Sequence, residues 1–294
     1  MNQLDQPIVL MYHGTLSHGS EIVPGREPGA RLYDVSIENF RAQMRGIREG
    51  EYAVTVPVWT SQNPIGSRLG FVSHESFAKE WQNLMTNGLK EQETRLARRA
   101  VVITFDDGEL NNFEGAFKVL AEFGFGAYFF VTVNRIGQRG YMDWGQLRML
   151  CDRGMIVGSH GLNHEILVGL ETQRLKRELA ESKKILEQNL RRPIEDFSVP
   201  RGFYDEAVLK MAREVGYRNI FVSAVRPGLA QNCVGRIAVK GDWSMQRFQQ
   251  ALCGQTPFRE RIKDTMLETM KSLLGAKRYD RVRGIILKGK VMKI

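Results

Sequence analysis

From residue 100 onward the chain alternates short apolar runs with helical stretches, and this alternation constrains the fold more than any other feature. The run AVVITF at 100–105 reads as a strand buried on both faces. A helix is expected from about Asn111 to Phe123, stopped by Gly124. Further strands are expected at 126–132, 155–159, 196–200, 219–223 and 234–239, with helices over Trp144–Arg153, over Thr172–Leu190 and after the capping residue Asp205. Upstream, IVLMY at 8–12 reads as a strand, Ser36 caps a helix running to Arg48, and AVTV at 53–56 is a short strand. This repetition of strand and helix argues for βαβ units and a parallel sheet, open or closed into a barrel. In either architecture the reactive side chains belong at the carboxyl ends of the strands.

A chain of 294 residues has room for one large domain or two small ones. Residues 57–99, which hold Pro57, Pro64 and several glycines ahead of a polar helical stretch, read as an insertion within a domain spanning 1–255. Residues 256–294 read as a basic helical extension. The net charge of +9 favours anionic partners or a basic solvated surface. Arg95, Arg98, Arg99, Lys176 and Arg177 are interleaved with glutamates and leucines, so no nucleic-acid-binding tail is expected. Arg259, Arg261, Lys263, Lys288 and Lys290 give the extension a surface suited to peripheral contact with anionic lipid, or to water. Three widely spaced cysteines form no CxxC pair, which argues against a zinc ribbon or a disulfide framework. The first residues, MNQLDQPIVLMYHG, do not read as a signal peptide, and no run is long enough to span a membrane, so a cytoplasmic location is expected.

Two motifs sit where the fold would place chemistry. Asp106-Asp107-Gly108 directly follows the 100–105 run. Adjacent carboxylates at a strand end point in different directions, so one can hold a metal while the other accepts a proton. The same triplet is also ordinary turn chemistry. His160-Gly161-Leu162-Asn163-His164 directly follows the 155–159 run. Two of the five histidines fall here, and a helical turn would put both imidazoles on one face. One carboxylate and two histidines make a three-ligand site with open positions, of the kind that activates water. The spare carboxylate then supplies a general base. A third segment, Ser198-Val199-Pro200-Arg201-Gly202, is a shaped loop whose N–H groups can face an oxyanion.

Taken together, TFDDG at 104–108, HxxxH at 160–164 and the Pro-x-Gly loop at 200–202 resemble the polysaccharide deacetylases of carbohydrate esterase family four. LMYHG at 10–14, VSIENFRAQM at 35–44 and VGRIAV at 234–239 are similar to the bacterial poly-N-acetylglucosamine branch. The resemblance implies a distorted (β/α) barrel of about seven parallel strands. It implies Asp107, His160 and His164 as ligands of zinc or another divalent transition metal, and Asp106 as base. It further implies an N-acetylated sugar as substrate: a polysaccharide, an oligosaccharide, or a phosphorylated, nucleotide- or lipid-linked precursor of exopolysaccharide or cell-envelope glycan. Two positions depart from the family. Ser198 stands where an arginine usually contacts the base, which leaves Arg201 or Arg236 to replace it. No histidine follows His164, so His13 is the candidate for the acid that protonates the leaving amine. The same chemistry would serve a deformylase or an O-deacetylase, and a weakly catalytic carbohydrate-binding protein would keep the same fold.

Overall fold

The computed structural model describes residues 7–17, 23, 26, 29–50, 52–54, 100–223, 233–255, 275 and 279. The expected insertion at 57–99, nearly all of the basic extension, His18 and His74 lie outside the described residues.

The strands are β1 (Ile8–Tyr12), β2 (Thr15–Leu16), β3 (Val35–Ser36), β4 (Ala53–Val54), β5 (Ala100–Phe105), β6 (Tyr128–Val131), β7 (Ile156–Ser159), β8 (Asp196–Ser198), β9 (Asn219–Val222), β10 (Cys233–Gly235) and β11 (Ile237–Ala238). The helices are α1 (Ile37–Glu49), α2 (Phe117–Phe123), α3 (Trp144–Asp152), α4 (Thr172–Leu190), α5 (Glu206–Val215) and α6 (Met245–Leu252). The main sheet is wholly parallel and runs β10-β9-β8-β7-β6-β5-β1-β11, with β4 added on the first two residues of β5. Its two edge strands, β10 and β11, are consecutive in the chain and separated by Arg236 alone. The sheet is thus a parallel barrel closed at its seam by one stretch of chain, with helices between the strands. The run at 234–239, expected as one strand, is divided here, because each half pairs with a different edge of the sheet.

Local sequence explains the elements. In α1 the Ser36 hydroxyl accepts from the Asn39 N–H, and Ile37, Phe40, Met44 and Ile47 form the buried stripe at helical spacing. Asp143 and Gln146 form a reciprocal capping box that starts α3. The helix expected at 111–123 begins with a π turn over Asn112–Ala116 before it settles into α2.

The period-2 geometry of strands divides the barrel into two cores. Leu10, Tyr12, Val101, Ile103, Phe105 and Phe129 belong to the outer layer against the helices. Val9, Val102, Tyr128, Phe130, Phe221 and Val234 form a separate inner cluster. Phe130 and Phe221, on strands that are not neighbours, meet inside with ring centroids 4.8 Å apart. Continued towards the strand ends, the inner positions become His13, Thr104 and Asp106, Thr132, His160, Ser198 and Arg236. The barrel's apolar inner column therefore opens into a polar mouth.

Candidate active site

Asp106 caps that inner column. Its backbone N–H donates to the Tyr12 carbonyl at 3.0 Å, which prolongs the sheet by one residue. The carboxylate accepts from Arg236 Nη1 at 2.7 Å and Nη2 at 2.8 Å, a bidentate pair. Ser198 Oγ donates to both carboxylate oxygens at 3.2 Å and accepts from Arg236 Nη2 at 2.8 Å. Arg236 Nη1 also donates to Thr104 Oγ1 at 3.2 Å. Burial alone would raise the Asp106 pKa. The Arg236 guanidinium, by its charge and its hydrogen bonds, outweighs it and holds the carboxyl below its usual range. The arginine contact to Asp106 thus comes from Arg236 at the barrel seam. Arg201, the other candidate, sits with φ 62° in the Pro200–Gly202 turn.

Asp107 follows on the same strand end and would point to the outer face if the strand continued. Its left-handed backbone, φ 74°, turns it back over the mouth, and Gly108 follows with φ 79°. A Cβ on Gly108 would meet Val131 at 2.9 Å, so the turn needs glycine for both conformation and space. Asp107 Oδ1 lies 3.0 Å from His164 Nε2 and 3.6 Å from His160 Nε2. The two histidines do not converge by a helical turn, as their spacing had led us to expect. The segment is irregular, and positive φ at Gly161 (79°) and His164 (60°) folds the second imidazole back onto the first. Their ring centroids are 4.9 Å apart. Left-handed non-glycine residues typically cost about 1–2 kcal/mol each. Of the four among the described residues, Asp107, His164 and Arg201 lie in the three loops of the mouth.

The three ligand atoms of Asp107, His160 and His164 lie within 4.8 Å of one another, and all three residues are buried. Asp107 Oδ1 is a buried acceptor with no well-aligned hydrogen bond, although His164 Nε2 is close. His160 Nδ1 is 2.8 Å from the Ser198 carbonyl, which fixes its tautomer and leaves Nε2 facing Asp107. Burial and His164 push the His160 pKa down to about 4, so the ring is neutral and able to ligate near pH 7. Burial would raise the Asp107 pKa, but His164, His13 and His160 hold it well below the usual carboxylate value. A carboxylate oxygen and two imidazole nitrogens converging on one point fit a divalent transition metal such as zinc.

Two groups that the motifs did not reveal complete the surroundings. Glu178, from the buried face of α4, accepts from the Asn163 backbone N–H at 3.0 Å and from its side-chain amide. Asn134 Nδ2 donates to the other end of that side chain, Oδ1, at 2.6 Å. Asn163 is thereby clamped immediately before His164. Glu178→Ala protein is expected to bind zinc about 10–100-fold more weakly in a chelator competition, because the loop loses the acceptor that sets its shape. Unchanged zinc affinity would show that the loop holds itself. On the other side, Arg26 lies 2.6 Å from Glu109 and 2.6 Å from Asp34. Glu109 is fully buried, and burial pushes it up to about 7 against the pull of Arg26. His13 packs against Tyr33 with the rings tilted and their centroids 5.0 Å apart, and its Nδ1 is buried without a hydrogen bond.

A parallel barrel whose mouth holds an Asp-His-His set beside an arginine-bound aspartate defines a hydrolase-type site. Residues 93–220 match the profile of the polysaccharide deacetylase family. It is 28% identical over 231 residues to YxkH of Bacillus subtilis (strain 168), a protein assigned as a polysaccharide deacetylase, with 79% of this chain and 68% of that one covered. It is 26% identical over 126 residues to a peptidoglycan-N-acetylglucosamine deacetylase of Bacillus cereus, covering 42% of this chain and 57% of that one. The fold is similar to that of the Streptococcus pyogenes deacetylase PplD, solved with acetate, at a TM-score of 0.65 and 20% identity over 84% of this chain and 98% of that one.

Proposed function

We propose that the chain is a metal-dependent hydrolase that removes N-acetyl groups from N-acetylated sugars in the making of exopolysaccharide or cell-envelope glycan. One observation carries this reading: a buried carboxylate, Asp106, is held ionised by Arg236 and Ser198 beside a separate Asp107-His160-His164 ligand set. The names of YxkH and of the Bacillus cereus enzyme agree with it.

In this reading Asp107, His160 and His164 hold the ion. When bound, it supplies Lewis acidity that lowers the pKa of a water and polarises the acetamide carbonyl. Asp106 takes the proton from the attacking water, and Arg236 and Ser198 fix the direction of its lone pairs. The Ser198 carbonyl keeps His160 in the ligating tautomer. The Arg201 backbone N–H, in the Pro200–Gly202 turn where Arg201 is left-handed, donates to the negative oxygen of the tetrahedral intermediate in this reading. His13, at the mouth end of β1, gives a proton to the leaving amine. In support, its Nδ1 is buried with no competing hydrogen-bond partner.

The test is acetate release from N-acetylglucosamine oligosaccharides by zinc-loaded protein beside a His160→Ala control. Release by the first alone is the expected result. No release from these or from phosphorylated N-acetylated sugars, by protein shown to contain zinc, would overturn the reading. His13→Gln is expected to lower kcat by about 100-fold with KM little changed.

A further inference from the structure

Besides Arg201 in the Pro200–Gly202 turn, the described residues bring Arg236, Arg26 and Arg135 to the acidic mouth, and the first two are committed to carboxylates. Arg236 is fully buried on Asp106 and Ser198. Arg26 is held between Asp34 and Glu109 at 2.6 Å from each. The third is Arg135, which follows β6 in a short 3-10 turn over Val133–Arg135. Its guanidinium lies over the Tyr141 ring at 5.3 Å from the centroid, and its side chain is 21% exposed. Among the described residues, the acidic group within ion-pair distance is Asp107, whose Oδ1 is 4.0 Å from Arg135 Nη1. That oxygen is the one directed at His164 and His160, so a bound cation would draw on the same lone pairs. Arg135 would then be an uncompensated positive charge, partly in water, held by an aromatic ring at the edge of the reaction centre. A planar guanidinium fixed in this way is suited to a phosphate or carboxylate, which it can meet with two parallel hydrogen bonds.

We propose that Arg135 and Tyr141 form an anion subsite beside the metal ligands, so that the N-acetylated sugar preferred by this chain carries a phosphate or carboxylate next to the sugar ring. The inference rests on the deacetylase reading for the position of the sugar. Arg135 makes it from this chain's own geometry, independently of the overall charge.

The deacetylated sugars test the subsite without turnover. Glucosamine 1-phosphate, muramic acid and methyl glucosaminide are titrated calorimetrically into zinc-loaded wild-type and Arg135→Gln protein. The zinc dissociation constant of the variant is measured alongside, to show that Asp107 is undisturbed. At least one anionic sugar is expected to bind wild type about tenfold or more tightly than the neutral glycoside, since a hydrogen bond to a charged group typically contributes about that much. Arg135→Gln is expected to remove the difference while leaving the neutral sugar unaffected. Preference for the phosphate or for the carboxylate identifies which anion the subsite reads. Equal binding of all three sugars, or an equal loss for all three in the variant, overturns the proposal. Acetate release from neutral oligosaccharides is read separately. Its absence there and also from N-acetylglucosamine 1-phosphate and N-acetylmuramic acid would count against the deacetylase reading, whereas a missing anion preference counts against Arg135.

Discussion

Asp106→Asn protein is expected to keep its zinc and to lose acetate release by about 10²–10⁴-fold, the usual contribution of a positioned general base. The two aspartates of one dipeptide have separate tasks because their backbones differ. Asp106 continues the strand and faces inward to Arg236 and Ser198, whereas Asp107 is left-handed and faces the histidines. Asparagine keeps the shape and the acceptor oxygen of Asp106 but cannot take up a proton. Metal content and turnover measured on the same sample decide the matter. Loss of zinc together with activity would place Asp106 among the ligands, and retained activity would place the base elsewhere.

Arg236→Met is expected to be the most destabilising substitution in the mouth. It leaves the Asp106 carboxylate, 4% exposed, buried without its counter-charge. Breaking one side of such a pair typically costs about 3–5 kcal/mol. In a domain of this size that lowers Tm by roughly 6–20 °C. The loss extends beyond one ion pair, because Arg236 also donates to Ser198 and Thr104 and is the single residue between the two edge strands. The double variant Asp106→Asn/Arg236→Met is expected to recover part of the stability, since it removes the stranded charge as well. A double variant no more stable than Arg236→Met alone would show that the seam needs the arginine for its packing rather than its charge. Thermal unfolding of the three proteins, followed by circular dichroism, measures this directly.

Several features were legible before any coordinates. The parallel pairing of the sheet follows from alternation, and β5, β6, β7 and α4 lie where the apolar runs and the helical stretch were expected. The Asp-His-His cluster was legible because Asp107, His160 and His164 stand after apolar strands, and such ends gather at one rim of a parallel barrel. Period-2 counting also puts His13, Asp106 and Arg236 on one face of their strands, a signal that favours Arg236 over Arg201. Glu178 and Ser182 left a fainter trace, two polar residues four apart on the apolar stripe of α4.

The sequence by itself determined the parallel architecture, the rim that carries the chemistry and the residues able to hold a metal, because all three depend on local periodicity and on position relative to strand ends. Only the tertiary structure decided which arginine reaches Asp106, how two histidines converge without a helix, and that Glu178 clamps the loop between them. Those contacts join residues up to 130 positions apart or depend on left-handed backbone at non-glycine residues, and neither leaves a repeating pattern in the chain.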